Sequence, residues 1–406
     1  MSEAPPHSYD PNSENEKPVA LPSAPLIAWA DGIVLQPPLT RRGTGPGLIV
    51  FLPPDSALNL SSKTGEDKPL DPEPVQKWAE EGFAVVGIIT GHGSVAANLE
   101  AAVDALLKLK ELDIRDKFAI AVYDTSVLAD VIAAIPQQPR VVCLAIYGYS
   151  LTTPPSVPTI VFVPSGSADV VSVSNLNICK VDAPSPSFVL PQTVEFHNAA
   201  ASIAHSKAAA HFRKHLGGPF FDLEAIWEEH TYFEFALRSV AKTMGTMVAE
   251  PYVNHVPTLA GGVGRKQLSA FYRDHFIFIN PKDASMQTIS RTIGSDRVVD
   301  EFIMHATHDT QIDWLLPGVP PTGKKLAIPM VGVINIRGDR LYHEHIWWDQ
   351  GTALMQAGII PTHIPLDGKT LRLPIAGAES ATILIDERSV PQNEMLGPVY
   401  GIVKDA

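Results

Sequence analysis

Between Val298 and Gln350 the chain reads VVDEFIMHATHDTQIDWLLPGVPPTGKKLAIPMVGVINIRGDRLYHEHIWWDQ. His305, His308, His343 and His345 fall in this stretch, and His255 precedes it. Carboxylates are dense as well: Asp300, Glu301, Asp309, Asp313, Glu344 and Asp349. These groups accept and donate protons, and they interleave with Ile, Val and Trp on segments patterned as strands. That mixture describes a pocket lined by a curved sheet, with acid–base chemistry inside it.

Strand alternation thins the list, because successive side chains point to opposite faces. His345 and Trp347 share a face with Asp349, while Ile346 and Trp348 share one with Glu344. Asp300-Glu301 is either an acid pair or a charged strand end, and His305 is a weaker cavity candidate. A metal alternative rests on His343-Glu-His345, two histidines on one strand face, joined by His255 or His308. No H-E-x-x-H motif accompanies them.

With 406 residues the chain is long for one core, and two domains are expected. Hydrophobic content of 45% supplies enough apolar side chains for both. The formal net charge of −13 excludes nucleic acid or an anionic membrane as main partner, since both need clustered positive charge. Cys143 and Cys179 are too few for a disulfide framework or a cysteine-rich zinc site. The first residues lack a basic region followed by an apolar stretch, so no signal peptide is expected. A soluble cytoplasmic protein is the resulting expectation.

Four segments position these residues. Residues 1–25 are polar and Pro-rich and read as a disordered tail. Residues 26–218 alternate continuous apolar strands with helices, beginning with Gly47–Leu52, the helix over 72–81 and the strand over 83–89. This pattern means a mostly parallel sheet covered on both faces. Residues 219–360 put helices first (about 222–247 and 267–276), then strands near 285–296, 297–309, 325–337 and 340–350. That order is α+β, with Arg337-Gly-Asp-Arg340 as a hairpin turn. Residues 361–406 read as a wrapping tail with a strand over Ala381–Ile385.

The element order of the first domain resembles the dienelactone hydrolase branch of the α/β-hydrolase fold. That family places a Cys in a G-x-C-x-G-G turn after a strand. The matching turn is Val122-Tyr-Asp124-Thr-Ser126, without the Cys or the glycines. Asp169 fits the family's acid, and Val194-Glu-Phe196 replaces its H-x-F. The resemblance therefore implies a catalytically degenerate domain. The alternative recruits Ser126 with His197, or Asp124 as a carboxylate nucleophile, for ester or lactone hydrolysis.

The second domain resembles SnoaL-like polyketide cyclases of the nuclear-transport-factor-two-like cone superfamily. The resemblance rests on the long first helix, Gly264-Arg-Lys-Gln-Leu268, Pro321-Thr-Gly323 and the ending Glu344-His-Ile-Trp-Trp-Asp349. It is closer still to the SnoaL-like half of two-domain proteins labelled carboxymethylenebutenolidase. The resemblance implies acid–base catalysis without cofactor or metal, in an apolar cavity that raises carboxylic pKa values. It matches Asp349 to the acid/base position and puts His255, beside Asn254, at the pocket mouth. Asp349, His308, His255 and Asp313 are the expected catalytic groups. Trp314, Trp348, Asn254 and His345 are expected to shape the pocket, with Asp309 and Glu344 outside it or structural. The expected substrate is a small apolar oxygenated molecule such as a polyketide or lactone. A homodimer is possible under this resemblance, and a non-catalytic binding or dimerisation role is the remaining reading.

Overall fold

The computed structural model describes residues 8–148, 154–167 and 175–403. The chain divides into two compact units: Leu21–Asp222 with Arg337–Asp339, and Met1–Ala20 with Leu223–Ile336 and Arg340–Ala406. No helix among the described residues is long and apolar enough to cross a membrane.

The N-terminal unit contains β1 (Ile27–Ala30), β2 (Ile33–Gln36), β3 (Gly47–Leu52), α1 (Pro74–Glu80), β4 (Ala84–Ile89) and α2 (Val95–Lys108). It continues with β5 (Phe118–Val122), α3 (Leu128–Ala134), β6 (Val141–Tyr147), β7 (Thr159–Pro164), β8 (Leu176–Val181) and α4 (Asn198–Leu216). The sheet order is β1-β2-β4-β3-β5-β6-β7-β8. Pairing is parallel from β4 through β8 and antiparallel at β1–β2 and β2–β4. The mostly parallel sheet is the expected one; β1, β2 and β8 are too short or too mixed to read from pattern.

Alternation explains why β3 is apolar throughout. Ile49 and Phe51 pack with Leu99, Leu106 and Val131 from α2 and α3. Leu48 and Val50 pack on the other face with Trp78, Ala204, Ala208 and Phe212 from α1 and α4. Each such large side chain contributes about 1.5–3 kcal/mol through burial. Cys143 belongs to the second cluster, in line with its reading as a small apolar core residue.

The C-terminal unit begins with α5 (Leu223–Thr231), a π-turn over Tyr232–Ala236 and α6 (Val240–Gly245). Next come β9 (Met247–His255), β10 (Ala260–Val263), α7 (Gly264–Phe271) and a second π-turn over Tyr272–Phe276. Then follow β11 (Ser285–Ile293), β12 (Arg297–Thr307), β13 (Lys325–Arg337), β14 (Arg340–Trp348) and α8 (Gln350–Gln356). The sheet order is β10-β9-β14-β13-β12-β11. β14 lies parallel to β9, and the pairs β9–β10, β11–β12 and β12–β13 are antiparallel.

Three expectations change here. The helix read over 222–247 is interrupted by the π-turn, and its end becomes β9. Residues 363–403 form a small sheet of β15 (His363–Leu366), β16 (Lys369–Arg372) and β17 (Gly401–Val403), with α9 (Glu379–Ile385) where a strand was expected. The segment read as a disordered tail is anchored: both Glu16 carboxylate oxygens accept from the backbone N–H groups of Val240 and Ala241, each at 3.0 Å. Ser239 donates to the Asn15 carbonyl, and the missing side chain of Gly245 makes room for Val19, which a Cβ there would meet at 2.8 Å. Local composition carries no trace of a contact made more than two hundred residues away.

Candidate active site

α5 buries Leu223, Ile226, Trp227 and His230, the i, i+3, i+4, i+7 stripe of an amphipathic helix. The π-turn extends that stripe to Glu234, which is also buried. π-turns commonly re-aim side chains at functional sites. Here two of them do so, one carrying Glu234 and Phe235, the other Tyr272 and Phe276. Across from α5, β14 points Glu344 inward.

His230 is fully buried and holds this group together. Thr246 Oγ1 donates to the Thr243 carbonyl, so it accepts from His230 Nδ1 at 2.6 Å. The opposite nitrogen, Nε2, lies 3.1 Å from Glu234 Oε1 and 3.0 Å from Glu344 Oε1. Two acceptors at Nε2 and one at Nδ1 call for a doubly protonated ring. Burial opposes that charge, but the Glu234 and Glu344 carboxylates prevail and push the imidazole up to about 10. Burial also raises the Glu234 carboxyl, and the nearby Glu344 adds to the rise against the pull of His230. Tyr272 closes the cluster, its hydroxyl 3.3 Å from Glu344 Oε1 and 3.4 Å from His230 Nε2.

Support comes from beneath. The Trp227 indole stacks on the His230 ring at 5.7 Å and 16°. Its N–H donates to Asp300 at 2.7 Å, and Arg291 grips both Asp300 oxygens. Asp300 is thus a buried anchor for the helix.

Glu234 and Glu344 reach the wall of a cavity of about 110 Å³. Trp227, Phe276, Phe302, Trp314, Met304 and Met330 are among its apolar lining. Thr231 and Ser285 add hydroxyls to the polar lining, and His255 adds an imidazole. Burial depresses its imidazole to about 4, so the ring is neutral. Its Nδ1 faces the Ala260 carbonyl at 3.3 Å and must donate there, which leaves Nε2 as an acceptor. The carbonyl is brought near by β10, where Gly261 has φ 145° and a Cβ would fall 2.0 Å from the Val253 oxygen.

Of the residues singled out from sequence, His255 and Trp314 line this cavity. Trp348 packs behind them, 6.0 Å from the His255 ring and 5.6 Å from Trp314. The others lie elsewhere. Asp349 is exposed and caps α8, accepting from Thr352 N–H at 2.6 Å. Asp313 pairs with His275 at 3.0 Å on a partly exposed surface. His308 is buried in the loop after β12 against Thr322, at 3.0 Å. Asn254 and His345 alternate with His255 and Glu344 and so take the opposite face, where His345 meets the Tyr252 hydroxyl at 2.9 Å.

The face choice on β14 is therefore the reverse of the expected one: the strand ends before Asp349, whose carboxylate serves the next helix, and Glu344 turns in. His230 and Glu234 went unread. Their signal was present, as two polar residues four apart on the apolar stripe of α5. Asp349→Ala should accordingly cost about 1 kcal/mol in a denaturant titration, the value of a lost cap, and leave turnover unchanged.

In the N-terminal unit, Asp124 accepts from Thr90 Oγ1 and from Ser126 N–H, and Ser126 is exposed. His197 Nδ1 accepts from Ala200 N–H as the cap of α4. Both side chains serve as caps, and Asp169 lies outside the described residues. The metal alternative does not assemble, because His343 and His345 face away from His255. Among the described residues the compact donor set is instead His230, Glu234 and Glu344, whose ligand atoms lie within 4.8 Å of one another.

Residues 229–344 match the family model of the SnoaL-like domain. Similar solved structures include a hypothetical protein with a ketosteroid isomerase-like fold from Catenulispora acidiphila. It is 16% identical, covers 34% of this chain and 97% of its own, and has a TM-score of 0.27. An NTF2-like protein of unknown function from Burkholderia pseudomallei is 13% identical, covering 33% and 95%, with a TM-score of 0.26. TsrD from Streptomyces laurentii is 14% identical, covering 35% and 100%, with a TM-score of 0.28. No curated protein matches the chain at a significant level. Over residues 229–344, then, the C-terminal unit carries a SnoaL-like domain.

Proposed function

We propose that the C-terminal unit is an acid–base catalyst that needs no cofactor and acts on a small, largely apolar oxygenated molecule. The observation that carries this reading is the pair of carboxylates sharing one buried imidazolium at the wall of an apolar cavity. Two acids in unequal environments divide naturally into base and acid. Glu344 takes the proton from a C–H next to a carbonyl, and that electron pair moves onto the carbonyl oxygen. Glu234, whose carboxyl is raised, returns a proton to oxygen or carbon. His230 stays charged and steadies whichever carboxylate is ionised. Cyclisation, isomerisation and dehydration all use such a step; in hydrolysis the same base would take its proton from a water that adds to the carbonyl carbon.

The N-terminal unit is read as a dienelactone-hydrolase-like domain without acyl-transfer chemistry. The strand order β1-β2-β4-β3-β5-β6-β7-β8 supports the resemblance. The capping roles of Asp124 and His197 support the loss of activity. A panel of enones, lactones and hydroxylated aromatic ketones, assayed on wild type, Glu344→Gln, Asp124→Asn and Ser126→Ala, tests both statements. Turnover lost only in Glu344→Gln is expected; turnover lost in Ser126→Ala or Asp124→Asn instead would move the chemistry to the first unit.

A further inference from the structure

We infer that the cavity takes a ligand whose polar end donates hydrogen bonds and carries no negative charge: a small ring bearing hydroxyls, or one bearing a protonated amine. This rests on the reading of the cavity as the working site and adds the class of molecule it admits.

The polar groups on the wall are the Glu234 and Glu344 carboxylates, His255 and the hydroxyls of Thr231 and Ser285. His255 spends its one N–H on the Ala260 carbonyl, so toward a ligand it can only accept. Most nearby donors are committed to protein acceptors. His230 gives one N–H to Thr246 and the other to the two glutamates. Both lining indoles are also occupied, Trp227 with Asp300 and Trp314 with Asn280. Thr231 donates to the Trp227 carbonyl. What the wall can offer is the Ser285 hydroxyl, on an exposed residue and able to accept as well as donate, and a proton taken up by Glu234.

Among the described residues, no Arg or Lys lines the cavity. An anionic ligand would therefore face two carboxylates in a low-dielectric space where the one cation, the His230 imidazolium, is already shared between them, which is costly. A hydroxyl or ammonium group meets the reverse situation, with acceptors at one end and aromatic faces around its body. The volume of about 110 Å³ limits that body to roughly one ring; a dry cavity of roughly 150 Å³ is known to hold benzene.

Four one-ring probes separate these terms on the full-length protein at neutral pH: catechol, benzylamine, benzoate and toluene, with affinities from ligand-observed NMR. Catechol or benzylamine should bind at least about tenfold tighter than benzoate, a gap of about 1.4 kcal/mol. A preference for catechol alone identifies a hydroxylated ligand, and one for benzylamine identifies a cationic one. Benzoate binding as tightly as both, or toluene matching both, overturns the inference.

Glu344→Gln removes one charge and adds an N–H donor, so the penalty on benzoate should shrink; an unchanged ranking would place the probes elsewhere and overturn the inference too. If that variant does not fold, Overhauser contacts from the probes to the Met304 and Met330 methyls in wild type give the same information, and their absence counts against it. The two proposals fail separately. Turnover lost in Glu344→Gln without any charge ranking sinks the ligand class alone, whereas a clear ranking with full turnover in Glu344→Gln sinks the catalytic reading.

Discussion

Glu344→Gln should lower kcat/KM by about 10²- to 10⁴-fold, the range for removing a positioned general base, while the protein stays folded. Glutamine keeps a carbonyl oxygen where Glu344 Oε1 accepts from His230 Nε2 at 3.0 Å and meets Tyr272. Shape and hydrogen bonding survive; the proton acceptor and the negative charge do not. With one carboxylate gone, the imidazole should also fall from about 10 toward its ordinary range, visible in the ring carbon and nitrogen shifts. Glu344→Leu should behave differently. It strips the partner as well as the charge, and breaking a buried pair from one side costs about 3–5 kcal/mol. A folded Glu344→Gln protein with wild-type kcat/KM would remove Glu344 from the chemistry.

The contrast between Glu344 and Asp349 shows what the sequence could reveal. Alternation along β14 reads the two carboxylates onto opposite faces. It cannot say which face is inside, because apolar residues flank both: Ile346 and Trp348 on one side, Trp347 on the other. The decision lies in the pairing with β9, which sets Ile346 beside His255. The end of the strand matters equally, since Asp349 has left the sheet and its carboxylate caps a helix. His230 was hidden for another reason. A histidine on an apolar helix stripe is usually a satisfied core residue, and only the tertiary approach of β14 supplies its second glutamate.

The architecture was easier to read. Strands β3 to β7 are continuous apolar runs buried on both faces, and β11 to β14 are long segments bounded by turn residues. What escaped were elements defined by partners. β9 begins inside what reads as the end of a helix, and the anchored segment around Glu16 has no local pattern at all.

The two units should respond to pH in opposite directions. In the C-terminal unit His230 is raised from its ordinary 6.5 to about 10. The folded state thus binds a proton that the unfolded chain gives up earlier. That stabilisation is complete below pH 6.5 and is lost as pH rises toward 10, a loss on the order of a few kcal/mol. Glu234 is raised as well and acts with the same sign, its share declining from about its ordinary 4.5 upward. In the N-terminal unit Glu81 is fully buried. Burial would raise it, but Arg213 at 2.6 Å and His205 at 2.8 Å hold it at about 2. This stabilisation is complete above pH 4.5 and is lost as pH falls toward 2. Burial depresses the imidazole of His205, whose stabilising share likewise fades on acidification. Denaturant titrations at pH 3, 5, 7 and 9, each followed by a hydrogen-exchange pulse at one fixed pH, resolve the units by peptide. Peptides from β9 and β12 should lose protection first at pH 9, and those from β3 and β5 first at pH 3. His230→Gln should flatten the alkaline limb and leave the acid limb intact. An alkaline limb that survives this substitution would show that the imidazolium between the two glutamates is not its source.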